Sequence, residues 1–524
     1  MRRDEPTQKF HIQPQYSPAA VPAYHHAKFT TCKAKSADGW GHATSSDMIG
    51  DFEELPIPFG ACAISPSLDM YSSAGTGCTL RINATHVGSL INGDTSVGWE
   101  TTNNFAAVAD SSADPTLTNW TQVSHGIEGN HSVGEKGWIG TPGNHIPAPF
   151  GLIGNVVAYH NSSDSTAGIY AMVSTSVGNP RAKSSLPAFM VYRSADFTTW
   201  EYVGPLYIYT KAMNRAECGD LFPIGTGASK VTAANVDFGL AASDAWWVLM
   251  WSTPDRNGGG AARNAGVVYL IGKIQGGKFV AASEQLQAAE YGNFYASQTV
   301  LGPVDGRIIM ADLGGGVQSL PRRITLTEAD MSLDFQPTSA LAQRHTGTAV
   351  RASGEKLAAG QVKGLAGAEA FGGAMDLNIT VRSHTTTGGS AVVRLRAGNS
   401  TTGRCRCTHE SSWCCQDGPI SLQVNFSNSG SVRPMHTLQI TAGRTKITLP
   451  VEGRGGSLGT LQATLRVVVD QQIVEVFTGQ TPYSFSFMPL AGGKQVEMEA
   501  VGGDFEFDVA ASAVAAAKIQ PGSQ

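Results

Sequence analysis

Between residues 150 and 330 the chain repeats one texture: short runs of β-branched and aromatic residues, each closed by Gly, Asn, Asp or Pro. Val156–Tyr159, Gly168–Val173, Ala188–Tyr192, Trp246–Trp251, Gly266–Ile271 and Arg307–Met310 are all of strand length. Side chains of these types fit a pleated, half-buried surface. Few windows show the three-and-four spacing of an amphipathic helix. Many short strands at regular intervals predict a sandwich, a barrel or a propeller. In 107–120 and again in 192–200, an apolar strand is followed by an Asp and, several positions on, by a Trp. Such an echo is what blade-like repetition leaves, although it does not establish blades alone.

The texture breaks over 331–360, which is rich in Ala, Gln and Gly and reads as a linker with room for a short helix. Alternation returns in 361–512, at Leu377–Val381, Ala391–Leu395, Leu438–Ile440, Leu465–Val469 and Phe505–Phe507. That pattern predicts the two facing sheets of a sandwich. The Ala-rich tail, 513–524, is expected to fray. The fold expected is therefore all-β, with a propeller over 1–330 and a sandwich behind it.

Composition narrows the partners. Only 15% of the 524 residues are charged, the net charge is -5, and 61 are Gly, so the surface draws its polarity from neutral side chains and the chain turns often. A slightly acidic chain without a basic block argues against nucleic acid or an anionic membrane as partner. No stretch approaches the roughly 18 apolar residues that span a bilayer. The opening MRRDEPTQKFHIQPQ has no apolar leader core. Seven N-x-[ST] sequons nevertheless begin at Asn83, Asn119, Asn130, Asn161, Asn378, Asn399 and Asn425. Cys405, Cys407, Cys414 and Cys415 cluster in RCRCTHESSWCC. That cluster reads as disulfides or a zinc site, and its spacing fits no standard zinc pattern. Together these features predict a secreted glycoprotein whose leader is missing from this sequence.

Chemistry concentrates in Asn214-Arg215-Ala216-Glu217-Cys218-Gly219-Asp220-Leu221-Phe222-Pro223, which lies between two strand-like runs. A Glu in such a loop is most often a solvated surface residue. Buried there instead, it would have its charged form disfavoured, as a general acid requires.

This string resembles the ECPD acid/base segment of glycoside hydrolase family 32, the invertases, inulinases and fructan enzymes. Other segments follow in order. Trp40-Gly41-His42-Ala43-Thr44-Ser45-Ser46-Asp47 resembles the family's WGHA-x-S-x-D, and Tyr192-Arg193-Ser194-Ala195-Asp196-Phe197 with Trp200 resembles its YRS-x-DF-x-x-W. Tyr291-Gly292-Asn293-Phe294-Tyr295-Ala296-Ser297-Gln298-Thr299 is similar to its G-x-FYA-x-x-T, and Ser319-Leu320-Pro321-Arg322-Arg323 to its LPRE-like close. Val468-Val469-Asp470 and Val474-Glu475-Val476-Phe477 resemble a strand pair of its second domain. The resemblance implies a five-bladed β-propeller followed by a β-sandwich, a sucrose or fructan substrate, and Glu217 as general acid/base.

Two departures qualify it. A retaining glycosidase sets two carboxyl groups about 5–5.5 Å apart. Phe10–Pro14 and Tyr24–His26 resemble the flanks of the family's nucleophile segment, yet Gln15–Ala23 between them contains no Asp or Glu. Ala148, in His145-Ile146-Pro147-Ala148-Pro149-Phe150, stands where the family has a stabilising Asp. A short segment lost between 15 and 23 would explain the first departure; only a diverged homologue explains the second as well. Asp38 and Asp47 are weak substitutes.

Substrate contacts are expected from Trp40, Arg193, Asp196, Asp220 and Tyr295. Phe294 and Trp251 are further candidates for an aromatic floor beneath a sugar ring. Core packing is the plain alternative for the aromatics, and a structural turn for Asp196. His25, His26 and His42 make no convincing metal set, and Gly258–Gly260 lacks the Lys and Ser/Thr of a phosphate loop. No cofactor is expected. Two functions follow: a β-fructofuranosidase-like hydrolase, or a non-catalytic carbohydrate-binding homologue of the same fold.

Overall fold

A computed structural model describes residues 2–3, 9–12, 15–16, 39–55, 59–60, 71–95, 98–124, 138–139, 146–147, 156–160, 168–177, 186–213, 216–225, 245–253, 266–292, 294–313, 317–368, 371, 374–384, 389–396, 420–426, 435–442, 445–455, 461–470, 473–478, 483–486, 495–515 and 519–520. It is a five-bladed β-propeller followed by a β-sandwich. Four blades are antiparallel sheets whose strands follow one another from the channel outward. They begin with the inner strands Tyr71–Arg81, Val156–His160, Glu217–Ile224 and Tyr295–Gly302. The remaining blade joins Arg2–Arg3, Phe10–Ile12, Ala43–Ser45 and Phe52–Glu54 to Ile519–Gln520, which pairs in parallel with Phe52 and Glu53. Each of these four inner strands touches the next, Arg2–Arg3 touches Tyr295–Gly302, and Gln15–Tyr16 and Gly39–Trp40 touch Tyr71–Arg81.

The inner strand Glu217–Ile224 is buried at every position. Blades then pack on one another through apolar layers. Phe189 and Val191 of one blade meet Leu249, Trp251 and Val268 of the next.

The echo along the sequence corresponds to a repeated corner between the third and fourth strands of a blade. Met48, Leu117, Phe197 and Met331 all have positive φ there, at 64°, 54°, 66° and 49°. A non-glycine residue in this region costs on the order of 1 kcal/mol or more. At three of the corners the strained residue plugs the core, with Met48, Leu117 and Phe197 buried. A nearby Asp collects the loose backbone N–H groups: Asp47 takes those of Ile49 and Gly50, Asp196 those of Thr198 and Thr199, and Asp114 those of Thr118 and Asn119.

The sandwich packs Leu422, Val424 and Leu438 against Leu465, Val467, Phe505 and Phe507, with clean alternation along Ile420–Phe426 and Phe505–Val514. Two boundaries differ from the sequence expectation. The stretch 331–360, read as a linker, holds the last strand of its blade, Ser332–Pro337, and a long sandwich strand, His345–Leu357. Only the few residues between them connect the two domains, and they carry the expected short helix, Ala340–Gln343. Small residues in His345–Leu357 hide its alternation. The tail also does more than fray: Phe505–Val514 runs into it, and Ile519–Gln520 returns to the propeller.

A buried ionic triad joins the domains. Arg322 donates to Glu290 at 2.6 Å within the propeller and to Glu475 of the sandwich at 2.8 Å, and all three side chains are fully buried. The Leu320 amide also donates to Glu475, at 2.6 Å. Burial opposes every charge here. Arg322, facing two carboxylates, is nonetheless held protonated. Burial pushes the Glu475 carboxyl up, against the pull of the guanidinium it shares with Glu290.

The folded protein therefore holds the Glu475 proton to a higher pH than the unfolded chain does. Stability from this group is full below the ordinary carboxylate range and declines as pH rises through the raised titration. Thermal midpoints measured from about pH 4 to about pH 8 should fall less steeply for Glu475→Gln than for the wild type. An identical slope would contradict the assignment.

Candidate active site

Glu217 is the first residue of its inner strand and is 7% exposed. Tyr295 is the first residue of the inner strand in the next blade, and its hydroxyl donates to Glu217 Oε2. The two meet because both strands begin irregularly. Pairing slips between Glu217 and Asp220 and again between Tyr295 and Gln298. The residue after each site residue, Cys218 or Ala296, has positive φ, at 50° and 51°. A bulge of this kind re-aims a side chain, and here both bulges lie at the same mouth of the channel.

Neighbouring groups fix that mouth. Ser252 Oγ accepts the Ala296 N–H at 3.0 Å, and Ser174 Oγ of the preceding blade accepts the Gly219 N–H at 3.2 Å. Only a glycine allows the second approach, since a Cβ at 219 would stand 2.9 Å from that of Ser174. Asp220, deeper along the strand, accepts the Thr299 N–H at 2.9 Å. Burial raises its carboxyl, with the nearby Arg307 and the Thr299 bond acting against that rise. Gln298 reaches across to the second blade and donates to the Gly77 carbonyl at 2.9 Å, bridging the channel below Tyr295. Among the described residues these polar groups gather around the Glu217 carboxyl at the channel mouth.

Of the expected site residues, the structure brings together Glu217, Asp220 and Tyr295. It does not bring Arg193 or Asp196 to them. Arg193 pairs with Tyr170 and Glu201 at the far end of its blade, and Asp196 lies in the corner beyond. The Asp196 carboxyl is held well below its usual range by hydrogen bonds from Thr198 and Thr199. It is the structural turn that was its alternative reading, and Asp47 does the same work in the first blade. These two expectations are corrected: the YRS-x-D string builds a corner on the face opposite Glu217.

Phe294 and Trp251 are core, each at most 1% exposed. The Arg322 guanidinium covers the Phe294 ring at 4.6 Å, and Trp251 packs on Phe189 and Tyr209. His42 is buried with His11, their ring nitrogens 2.9 Å apart. Trp40 is described by its backbone alone, in the strand Gly39–Trp40. Asp38, His25, His26, Ala148 and the Cys405–Cys415 cluster lie outside the described residues. Among the described residues, no three His, Cys, Asp or Glu side chains are grouped to hold a metal ion, and no helix is long and apolar enough to cross a membrane. Ser174 and Ser252 carry no signal in the sequence, since a single Ser within or at the end of a strand is commonplace. Gln298 and Thr299 were in view only as part of a matched string.

Residues 167–337 match the model of the glycosyl hydrolases family 32 N-terminal domain, a span containing Glu217, Asp220 and Tyr295. That match supports a family 32 assignment for the segment it covers. The chain superposes on fructan 1-exohydrolase IIa from Cichorium intybus, with TM-score 0.68, 16% identity, and coverage of 100% of this chain and 95% of that one. A Bombyx mori β-fructofuranosidase gives TM-score 0.60 at 16% identity, covering 98% and 90%. An exo-inulinase from Aspergillus awamori gives 0.65 at 15%, covering 97% and 94%. Variants of the first two were solved with 1-kestose and with sucrose. At such identities these likenesses speak for the fold. No curated protein sequence matches the chain.

Close approach also constrains the strand that carries Tyr295. A Cβ on Gly266 would stand 2.3 Å from the Phe294 carbonyl oxygen, a backbone atom with nowhere to go. Gly266→Ala is expected to lower the unfolding free energy by about 1–3 kcal/mol, measured by urea titration. Gly364→Ala, where the nearest atom is 4.0 Å away, should change it little. Equal effects would contradict the packing described.

Proposed function

We propose that the mouth of the propeller is a β-fructofuranosidase-type site for sucrose or fructans, with Glu217 as its proton donor. The carrying observation is the buried Glu217 carboxyl at the channel mouth, met by the Tyr295 hydroxyl from the next blade. A proton donor of this kind gives its proton to the glycosidic oxygen as the bond to the fructosyl carbon breaks. Tyr295 orients the carboxyl and can pass its hydrogen bond to a sugar hydroxyl. Asp220 is tied to the Thr299 amide and shapes the floor. The sugar complexes of structurally similar proteins support the substrate class.

A second reading is favoured by one specific observation. A retaining mechanism needs a carboxylate opposite the donor, and residues 6 to 37, which span the expected nucleophile segment, contain no Asp or Glu, while position 148 is Ala. In that reading the chain holds fructosyl sugars without cleaving them. A secretory route accords with both readings: Asn83, Asn119 and Asn378, each the first residue of a sequon, are exposed.

Fructose release from sucrose and inulin, measured beside calorimetric binding, decides between them. In the hydrolase reading Glu217→Gln lowers release by about 10²–10⁴-fold. Binding with no release above the Glu217→Gln protein establishes the binding homologue. Neither binding nor release would overturn both.

A further inference from the structure

We propose that Arg322 is a positioning residue for this site: it clamps the segment that delivers Tyr295 to Glu217 onto the sandwich, so that the second domain sets where the Tyr295 hydroxyl lies. The proposal rests on reading Glu217 and Tyr295 as the sugar site.

One row of residues crosses the fourth blade from channel to edge: Glu217 pairs with Ser252, Ser252 with Val267, and Val267 with Glu290. Glu217 and Glu290 thus stand three strand spacings apart, about 14 Å at the usual interval. From Glu290 the chain must return to the channel and place Tyr295 against Glu217. Five residues reach at most about 17 Å, so the return is short, and Glu290 and Tyr295 are coupled through a few residues of backbone.

Both ends of this return are held by Arg322. Glu290 uses one oxygen to accept the N–H groups of Tyr291 and Gly292, at 3.2 and 2.9 Å, which fixes the turn leaving the strand. Its other oxygen accepts from Arg322. The guanidinium also lies on the ring of Phe294, the residue before Tyr295. Its opposite side belongs to the sandwich, with Phe477 at 5.3 Å and Glu475 at 2.8 Å. One planar cation therefore touches the beginning and the end of the return and anchors both to the second domain. A Lys would keep the charge and lose the fork and the stacking. Glu475→Gln leaves an Arg322–Glu290 pair of opposite charges, so that variant is the one expected to fold without difficulty.

Hydrogen exchange of the sugar-free protein tests the clamp. In Glu475→Gln, and in Arg322→Lys if it folds, peptides covering 291–299 should exchange about three-fold or more faster, while 420–426, in a remote part of the sandwich, is unchanged. Unchanged exchange over 291–299 would overturn the proposal, and so would an equal rise in 420–426, which marks a merely structural role. Sucrose affinity supplies the second readout, through a cycle of wild type, Tyr295→Phe, Glu475→Gln and the double variant. Glu475→Gln should weaken binding several-fold in the wild type and no further once Tyr295 is Phe; additive losses would overturn it. If the wild type binds no sucrose, the sugar-site reading fails and the exchange result alone decides the clamp.

Discussion

The hydrogen bond between Tyr295 and Glu217 crosses from one blade to the next, and it forms only because two inner strands begin with the same irregularity. A regular strand would send Glu217 and Tyr295 along the sheet faces, into the apolar layers where Phe222 and Leu221 lie. The bulges at Cys218 and Ala296 turn them to the channel mouth. Backbone strain and a buried carboxyl are both costs, and the packed blades below offset them. The site is thus an exception to the repeat, carried by a repeat that is otherwise strict.

The opposite mouth shows what that strictness is for. At three corners an apolar side chain at positive φ enters the core, and an Asp beside each binds the freed amides. These corners are polar, Asp-bearing and periodic, so in sequence they resemble sites. For that reason Arg193 and Asp196 stand among the substrate contacts expected from the sequence. What separates Asp196 from Glu217 is the direction of the strand on which each stands, and direction is a property of the sheet. The strand runs and the string that carries Glu217 were legible because each rests on local alternation or on a short motif. The blade-to-blade contacts of Ser174, Ser252 and Gln298 were not, since each joins residues far apart in the chain through one polar atom.

The boundary between the domains was obscured for a related reason. Small residues along His345–Leu357 carry little hydrophobic contrast, so a long strand read as linker. Arg322 and Glu475 each belong to a recognised string, yet nothing local indicates that they meet. Their pairing, with Phe294 and Phe477 on either side, makes the interface part of the architecture of the site.

Chemically, the carboxyl that we propose as proton donor is held by the Tyr295 hydroxyl, and the carboxylate that a retaining route sets across from it is missing from the matching stretches of sequence. Soaking crystals of the protein with 1-kestose addresses the central claim most directly. The account predicts a fructosyl unit in the channel mouth, within hydrogen-bonding distance of Glu217 and Tyr295. Sugar density confined to the opposite face, around the Asp196 corner, or none in the channel at saturating sugar, would contradict it.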